Sequence, residues 1–475
     1  MSIQVLTLFE EESYSEDDLL RKLFECGVGS PTKALEELLH AEVQTFEPDE
    51  PSAENFNNGD AVDEKSPLRL FSERSMRAGH TLHKVHALVG SGRLPESDLV
   101  FEILPKVTFP NSNSIDVRRS LSIMWSRAFD LAKYEHAERA YVDEVDVPLH
   151  EWLVRRLLDQ VQQLLRQGIR LNYVEREENL ETLRGRMLPL PNLRVNAFAP
   201  HRFFCRFAEL SLDRPENRLI RSALGVVANR SASLGHRRAA RQLVERLRGV
   251  PLSRNVRKDL AAWRSDRLMA HYREIRMTCS WILMRRGIAP AVGMRSVVGC
   301  FVRMNMVFER YVVRWFAEEL KSHGIELVGQ GAGDHRSVKH LVSTFRNGIP
   351  QTENLMRPDM LVYRAQASGR QLQCLAVMDA KWKRWDRNSP ISREDAYQIY
   401  AYARHWLADR GLVVLIYPNT CEAAELQRFA FNELSGISIV ALPFRLPVLA
   451  NSDSKILEGC GDELIIELRR LGPEI

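Results

Sequence analysis

Two carboxylates and an ammonium, set at strand-like spacing, are the residues of this chain best suited to chemistry. Asp359-Met360-Leu361-Val362-Tyr363 and Leu375-Ala376-Val377-Met378-Asp379 are short apolar runs on either side of Ser368-Gly369-Arg370. Such runs about a Gly-containing turn read as a β-hairpin. Side chains alternate faces along a strand, so Asp379 and Lys381 point the same way. Across the hairpin, Asp359 can reach that face too. Paired carboxylates make a site for a hard divalent cation, and an ammonium beside them can stabilise developing negative charge.

Two helices would complete the cluster. Glu309 falls on the apolar stripe of Val302, Met306, Val313 and Phe316, with Arg303, Arg310 and Arg314 to one side. A carboxylate on a buried face is costly unless it is paired, hydrogen-bonded or metal-bound. Downstream, Ser392 and Asp395 have capping-box spacing for a helix running to Gly411, with Gln398 and Tyr402 one turn apart on the face that carries Asp395. The chemistry expected is metal-assisted phosphodiester hydrolysis. Asp359 and Asp379, with the Ala380 carbonyl, would hold Mg²⁺ or Mn²⁺, and Lys381 would orient the attacking water or stabilise charge. Glu309 would serve a second metal directly or through water, Gln398 would position the nucleophile or the phosphate, and Tyr402 would support it from behind. Each residue also has an ordinary reading: a surface ion pair for Asp379 and Lys381, an Arg partner for Glu309, plain packing for Gln398 and Tyr402.

The elements that must position these residues sit in a long chain. With 475 residues, 45% hydrophobic and 27% charged, it exceeds one compact core and has the composition of an ordinary soluble protein. A net charge of +4 gives no global attraction to nucleic acid, so DNA affinity must come from local patches. Arg214, Arg218, Arg221, Arg237, Arg238 and Arg241 belong to one such run, and Arg237, Arg238 and Arg241 could follow a DNA phosphate backbone without reading bases. The same run could be a solvated surface or meet an acidic partner. Seven Cys without a Cys-x-x-Cys pair argue against a zinc ribbon or a disulfide framework and fit a cytoplasmic protein. The amino terminus lacks a basic n-region, and no apolar stretch approaches the roughly 20 residues of a membrane span.

Along the chain, helices are expected over Glu16 to Glu25 and from Pro31, then an acidic, Asn-rich linker over residues 45–66. Strands His83 to Val89 and Leu99 to Val107 would flank a Gly90-Ser91-Gly92 turn, followed by helices Asp116 to Ala140 and Leu149 to Gln167. Residues 170–295 read as mostly helical and Arg-rich, Met294 to Ser322 as the helix carrying Glu309, and Glu463 to Leu471 as a short terminal helix. The division expected is residues 1–75 as an amino-terminal extension, 76–185 as a small α+β domain, 186–290 as a helical Arg-rich region, 291–450 as the catalytic domain and 451–475 as a tail.

The order Glu-helix, Pro-Asp strand, Asp-x-Lys strand, Gln-Tyr helix resembles the PD-(D/E)xK nuclease superfamily. More narrowly, it is similar to the McrC family, the nuclease subunit of restriction systems that attack modified-cytosine DNA. The narrower resemblance rests on Phe308-Glu309-Arg310-Tyr311, Arg357-Pro358-Asp359, Asp379-Ala380-Lys381-Trp382-Lys383, Asp395 through Ala403, and Leu415-Ile416-Tyr417-Pro418. Upstream it continues through Ile103-Leu104-Pro105-Lys106, Leu183-Arg184-Gly185-Arg186, Cys205 through Glu209, and Asp213 through Ile220. Trp382 stands where the family usually has Tyr. The resemblance implies a multidomain α/β (α+β) chain ending in a restriction-endonuclease-like domain, a mixed sheet flanked by helices. It also implies Mg²⁺-dependent cleavage of double-stranded DNA in concert with a McrB-like AAA+ GTPase ring, in which the amino-terminal half docks and which it stimulates. The chain has no Gly-x-x-x-x-Gly-Lys-Ser/Thr of its own, so nucleotide hydrolysis would belong to that partner. The rival readings are a non-catalytic adaptor of the motor and a stand-alone repair or recombination nuclease.

Overall fold

A computed structural model describes residues 5–43, 45, 68–75, 81–94, 96–97, 99–106, 113–129, 148–264, 270–283, 298–322, 325–329, 338–346, 349–365, 372–384, 391–407, 410–419, 426–447, 464 and 468. The chain forms two compact units, Met1–Leu149 with Gly293–Ile475, and His150–Val292. The architecture is mixed α/β with several sheets. None of the described helices is long and apolar enough to cross a membrane.

The first unit opens with β1 (Val5–Phe9), β2 (Ser13–Ser15), α1 (Glu16–Glu25), α2 (Pro31–Leu39), β3 (Glu42–Val43), β4 (Leu68–Arg69), β5 (Phe71–Ser75), β6 (Thr81–Val85), β7 (Leu88–Arg93), β8 (Val100–Leu104) and α3 (Ser114–Ala128). Helix α1 has the bounds expected from its sequence because Ser15 and Asp18 cap it reciprocally. Leu6, Leu8, Leu19, Leu23, Leu35 and Leu38 share one core with Phe101, Ile103 and Phe301, so the first forty residues are built into this unit. The expected linker lies outside the described residues except Thr45, as do residues 130–140 of the expected helix after Asp116.

Gly90-Ser91-Gly92 is not a turn. It is the middle of β7, which pairs with β8 on one side and, through Gly90↔Phe301 and Gly92↔Gly299, with a later strand on the other. Gly90 has φ +148°, and a Cβ there would overlap the Cys300 carbonyl oxygen. A Cβ on Gly299 would collide with Gly92 Cα. The glycines therefore mark a close approach of two backbones rather than a reversal of one.

The second unit contains α4 (Leu149–Gln167), β9 (Asn172–Leu180), β10 (Arg186–Met187), α5 (Pro189–Val195), β11 (Phe203–Ser211), α6 (Pro215–Arg230), α7 (Leu234–Arg246), α8 (Val256–Ala261) and α9 (Ala270–Leu283). Its core joins Leu157, Val161, Leu219, Leu224, Leu243 and Tyr272. The helical expectation fails over Asn172–Leu180, Arg186–Met187 and Phe203–Ser211, which form an antiparallel sheet of order β10-β11-β9, while Pro189–Val195 between them is helical. The alternating charges of β9 are cross-strand partners rather than a helix surface: Arg206 pairs with Glu177 at 2.6 Å and Arg176 with Glu209 at 2.9 Å.

The chain then re-enters the first unit as β12 (Val298–Arg303), α10 (Met304–Ser322), β13 (Glu326–Gly329), β14 (Lys339–Arg346), β15 (Ile349–Met356), β16 (Met360–Ala365), β17 (Leu372–Ala380), α11 (Arg393–Trp406), β18 (Gly411–Asn419), β19 (Gln427–Ala430) and β20 (Ile437–Arg445). The helix expected from Met294 starts ten residues later, because Val298–Arg303 completes the sheet β1-β8-β7-β12. Strand β12 runs directly into α10, so the amino-terminal sheet and the Glu309 helix are one continuous element.

The last sheet has order β13-β16-β17-β18-β20-β19, with β17, β18 and β20 parallel and the other pairings antiparallel. β18 is buried at every position, as its Leu-Val-Val-Leu-Ile run requires of a central parallel strand. On one face Val377, Val413, Leu415 and Ile439 pack with Ile399, Tyr402 and Trp406 of α11. On the other, Phe308, Tyr311, Trp315 and Phe316 of α10 surround Phe444 at 5.3–6.4 Å between ring centroids. Such aromatic pairs contribute about 0.5–1.5 kcal/mol each beyond area burial. α11 stops at Trp406 rather than Gly411, since Gly411 already pairs in β18. Ser368-Gly369-Arg370 lies outside the described residues, as does the expected terminal helix apart from Leu464 and Leu468, both helical and buried.

In the second unit Glu151 of α4 is fully buried and accepts from Ser231 Oγ at 2.8 Å, the Ala232 amide at 2.5 Å and His236 Nδ1 at 2.6 Å. Burial alone would raise its pKa; the His236 contact, the charge of His150, and the Ser231 and Ala232 donors outweigh it and hold the pKa to about 2. The folded pKa is depressed, so this stabilisation is complete above the unfolded value of about 4.5 and is lost as pH falls towards 2. Urea titrations of the full chain from pH 7 to pH 2.5 should show that loss in the wild type. Glu151→Ala should be destabilised by about 3 kcal/mol at pH 7 and should lack that part of the pH dependence.

Candidate active site

The end of β17 gathers the residues on which the sequence reading centred. Strands β16 and β17 pair antiparallel with Met360 opposite Met378, a register that puts Asp359, the residue before β16, opposite Asp379. Pro358 precedes it and has no N–H to extend the ladder upstream. Asp359 Oδ2 accepts the Ala380 amide at 2.7 Å. Asp379 and Lys381 face the same way, and Lys381 Nζ lies 2.5 Å from Asp379 Oδ2. The Lys381 amide still donates to the Ile416 carbonyl at 2.8 Å, so this lysine leaves the sheet from a fixed backbone.

From Lys381 a chain of hydrogen bonds runs along α11. Lys381 Nζ donates to Gln398 Oε1 at 2.7 Å, Gln398 Nε2 to Tyr402 Oη at 2.8 Å, and Tyr402 Oη to the Arg357 carbonyl at 3.3 Å. The loop therefore closes: the helix residue that steadies Lys381 is itself anchored two residues before Asp359. Ser392 caps α11 by accepting the Asp395 amide, but the Asp395 carboxylate turns to Lys383 Nζ at 2.8 Å and stands 3.9 Å from Lys381 Nζ.

The electrostatics are those of excess negative charge in a dry place. Asp359 and Asp379 are 7% and 3% exposed. Burial pushes the Asp359 pKa well above the carboxylate range, and the charges of Asp379 and Glu309 push it further against the Ala380 amide and Lys381. Asp379 is also raised by burial, with Lys381 opposing. Glu309 is half-buried on α10 and its charge acts on both Asp359 and Tyr402. Burial alone would lower the Lys381 pKa, yet Asp379 and Asp395 outweigh it, so the ammonium keeps its proton. Among the described residues no three or more His, Cys, Asp or Glu stand ready as a metal cluster. The donor set is instead two buried aspartates whose repulsion is only partly relieved, a hard-oxygen pair that a divalent cation would suit.

The structure thus brings Asp359, Asp379, Ala380, Lys381, Gln398, Tyr402 and the charge of Glu309 together. Arg237, Arg238 and Arg241 lie on α7 of the second unit, Arg238 and Arg241 exposed and Arg237 half-buried. Other arginines of that run are structural: Arg218 is bound to Asp213 and Asp259, each at 2.5 Å, Arg214 to Glu216 at 3.2 Å, and Arg221 to the Val250 carbonyl. Sequence reading missed the ion pair of Asp395 with Lys383, for which the only signal was an acid at the capping position. It also missed Glu10, whose carboxylate accepts Trp382 Nε1 at 2.5 Å and carried no signal at all across 372 residues of chain.

Asp359→Asn keeps an acceptor for the Ala380 amide and removes a charge that burial, Asp379 and Glu309 disfavour. It should stabilise the full chain in EDTA at pH 7 by about 1 kcal/mol, read as a higher thermal midpoint. An unchanged or lower midpoint would mean that the carboxylate is already compensated.

None of the curated proteins compared matches this sequence. Among solved structures, a chain of the Thermococcus gammatolerans assembly described as McrB AAA+ hexamers with bound McrC is similar at 18% identity and a TM-score of 0.60, over 93% of this chain and 94% of that one. A structure of the Thermococcus gammatolerans McrBC complex is similar at 18% identity and a TM-score of 0.46, over 66% of this chain and 88% of that one. The first likeness shows a shared fold. The family resemblance read from the sequence is borne out by a family model that matches residues 83–418, well over half of the chain, and the chain belongs to that family, the McrBC 5-methylcytosine restriction system component.

Proposed function

We propose that this chain is the metal-dependent DNA endonuclease subunit of a McrBC-like restriction complex, with a PD-(D/E)xK nuclease site at the end of β17. The observation that carries the reading is the convergence of Asp359, Asp379 and Lys381 on one strand end, with Gln398 holding the lysine. Asp359, Asp379 and the Ala380 carbonyl would hold Mg²⁺ or Mn²⁺, with Glu309 serving a second ion. Bound there, the metal would supply a water of lowered pKa and neutralise charge on the phosphate. Lys381 keeps its proton, so it acts as a fixed positive charge and a hydrogen-bond donor rather than as a general base. Gln398 Oε1 sets the direction of that ammonium, and Tyr402 keeps Gln398 from turning away. A non-catalytic adaptor has no chemical need for two mutually repelling buried aspartates, which cost folding stability.

The family supports double-stranded DNA carrying modified cytosine as the substrate. The partner follows from the same reading. The Thermococcus assembly contains McrB AAA+ hexamers with bound McrC, and we assign this chain to an equivalent cytoplasmic complex with a McrB-like AAA+ GTPase. An exposed apolar surface on the second unit supports docking by the amino-terminal half. Tyr173, Leu183, Leu190, Leu193 and Phe198 are 61–101% exposed, large apolar side chains of the kind that docking surfaces present. The same surface disfavours a stand-alone repair nuclease. Arg238 and Arg241, with Arg237, are assigned to phosphate-backbone contact.

Asp379→Ala and Lys381→Ala should each reduce Mg²⁺-dependent cleavage by the assembled complex by at least about 10²-fold while co-purification with the ring is unchanged. Lys381→Arg should also be poor, because a planar guanidinium displaces the charge. Wild-type rates in the two alanine variants would sink the assignment.

Replacing Arg237, Arg238 and Arg241 with Ala should weaken DNA binding for all sequences alike and flatten its salt dependence by up to about one log unit for each arginine–phosphate pair removed. If DNA affinity is untouched while recovery of the ring falls, the patch faces the partner. If neither moves, it is a solvated surface.

A further inference from the structure

Trp382 follows the site lysine and, by alternation, leaves the strand end on the opposite side. Its ring packs on Phe308 of α10 at 5.2 Å between centroids, one residue before Glu309. Its indole N–H donates to Glu10 Oε1 at 2.5 Å. The same oxygen accepts the Lys106 amide at 3.2 Å, and the Glu10 amide donates to the Leu104 carbonyl at 3.0 Å. Glu10 directly follows β1, and Lys106 comes just after β8. A single carboxylate oxygen therefore joins the ends of two parallel strands of the amino-terminal sheet to the residue beside Lys381. Arg384 reinforces the seam by donating to the Lys106 carbonyl at 3.1 Å.

Packing alone does not account for Glu10. The side chain is fully buried, and its second oxygen, Oε2, has no hydrogen-bond partner among the described residues. A leucine would fill such space without the desolvation penalty of a carboxylate. What the carboxylate supplies is an acceptor for the indole, and Trp382 is the position at which this chain departs from the Tyr usual in the resembling family.

We propose that Glu10 is a positioning residue of the nuclease site: by fixing Trp382 it sets where Asp379 and Lys381 emerge, making the first strand of the chain part of the site's support. The proposal rests on the nuclease reading and adds a residue outside the span matched by the family model, residues 83–418. Glu10 touches neither substrate nor metal and acts through Trp382.

The test uses the full-length chain with the AAA+ protein that co-purifies with it, Mg²⁺, GTP and a plasmid carrying 5-methylcytosine. Glu10→Ala and Trp382→Phe should each lower the maximal cleavage rate about 10- to 100-fold with the half-saturating DNA concentration unchanged. Glu10→Gln, which keeps the acceptor, should restore the wild-type rate. Because the two residues act through one hydrogen bond, the double variant should be no slower than the slower single. Should Glu10→Ala fail to fold, Trp382→Phe against Glu10→Gln carries the comparison. Full-rate cleavage by Glu10→Ala or Trp382→Phe below its melting temperature overturns the proposal, as does a slow Glu10→Gln or a double variant in which the two rate reductions multiply. A wild-type complex that leaves the plasmid intact overturns the nuclease reading and the proposal together.

Discussion

The repulsion between Asp359 and Asp379, two buried like charges at one strand end, is the constraint around which the carboxy-terminal part of this chain is arranged. Burial raises both pKa values; the Ala380 amide and Lys381 oppose the rise at Asp359, and Lys381 and Lys383 oppose it at Asp379. Left to itself such a pair would protonate or draw in water. The sheet prevents relaxation by rigidity. Asp359 is fixed by the register of β16 on β17, and Asp379 by the parallel pairing of β17 with the wholly buried β18.

Two helices then treat the two sides of that strand end differently. On one side α11 brings Gln398 and Tyr402, neutral groups that orient Lys381 without cancelling its charge. On the other, α10 brings aromatic bulk and a third carboxylate, Glu309, so the local balance stays negative. Because α10 begins where β12 ends, the helix that supplies Glu309 is held by the amino-terminal sheet. The close backbone approach enforced by Gly90 and Gly299 fixes β12 in turn. Displacement at that sheet would reach the site through two rigid connections, the β12–α10 junction and the seam from Glu10 to Trp382.

What could be read from sequence was what is local. The Asp359 and Asp379 strands, the α1 capping box and the Gln398–Tyr402 spacing are all set by neighbours a few residues away, where alternation and capping chemistry leave little choice. The errors arose where a distant strand decided the outcome. Gly90-Ser91-Gly92 carries a turn signature, but it pairs with β8 along one edge and along the other with β12, which lies far downstream in the chain. Val298–Arg303 looked helical because its apolar residues continue the stripe of α10, and its pairing with β7 overrode that pattern. In β9 and β11, charges that would suit a helix surface equally well, Arg206 with Glu177 and Arg176 with Glu209, pair across strands instead. Glu10 could not have been found at all, since an acidic residue after a strand says nothing about a tryptophan 372 residues away.

The central claim is that the two aspartates exist to hold a divalent ion, and direct ion binding tests it without reference to cleavage, DNA or partner. Mn²⁺ can be titrated into the full-length chain and the free ion followed by its paramagnetic resonance. The account predicts saturable binding at neutral pH that Mg²⁺ competes away and that is lost in the Asp359→Asn/Asp379→Asn double variant, which is isosteric and keeps an acceptor for the Ala380 amide. Equal Mn²⁺ binding by wild type and double variant, or none by either, would contradict it.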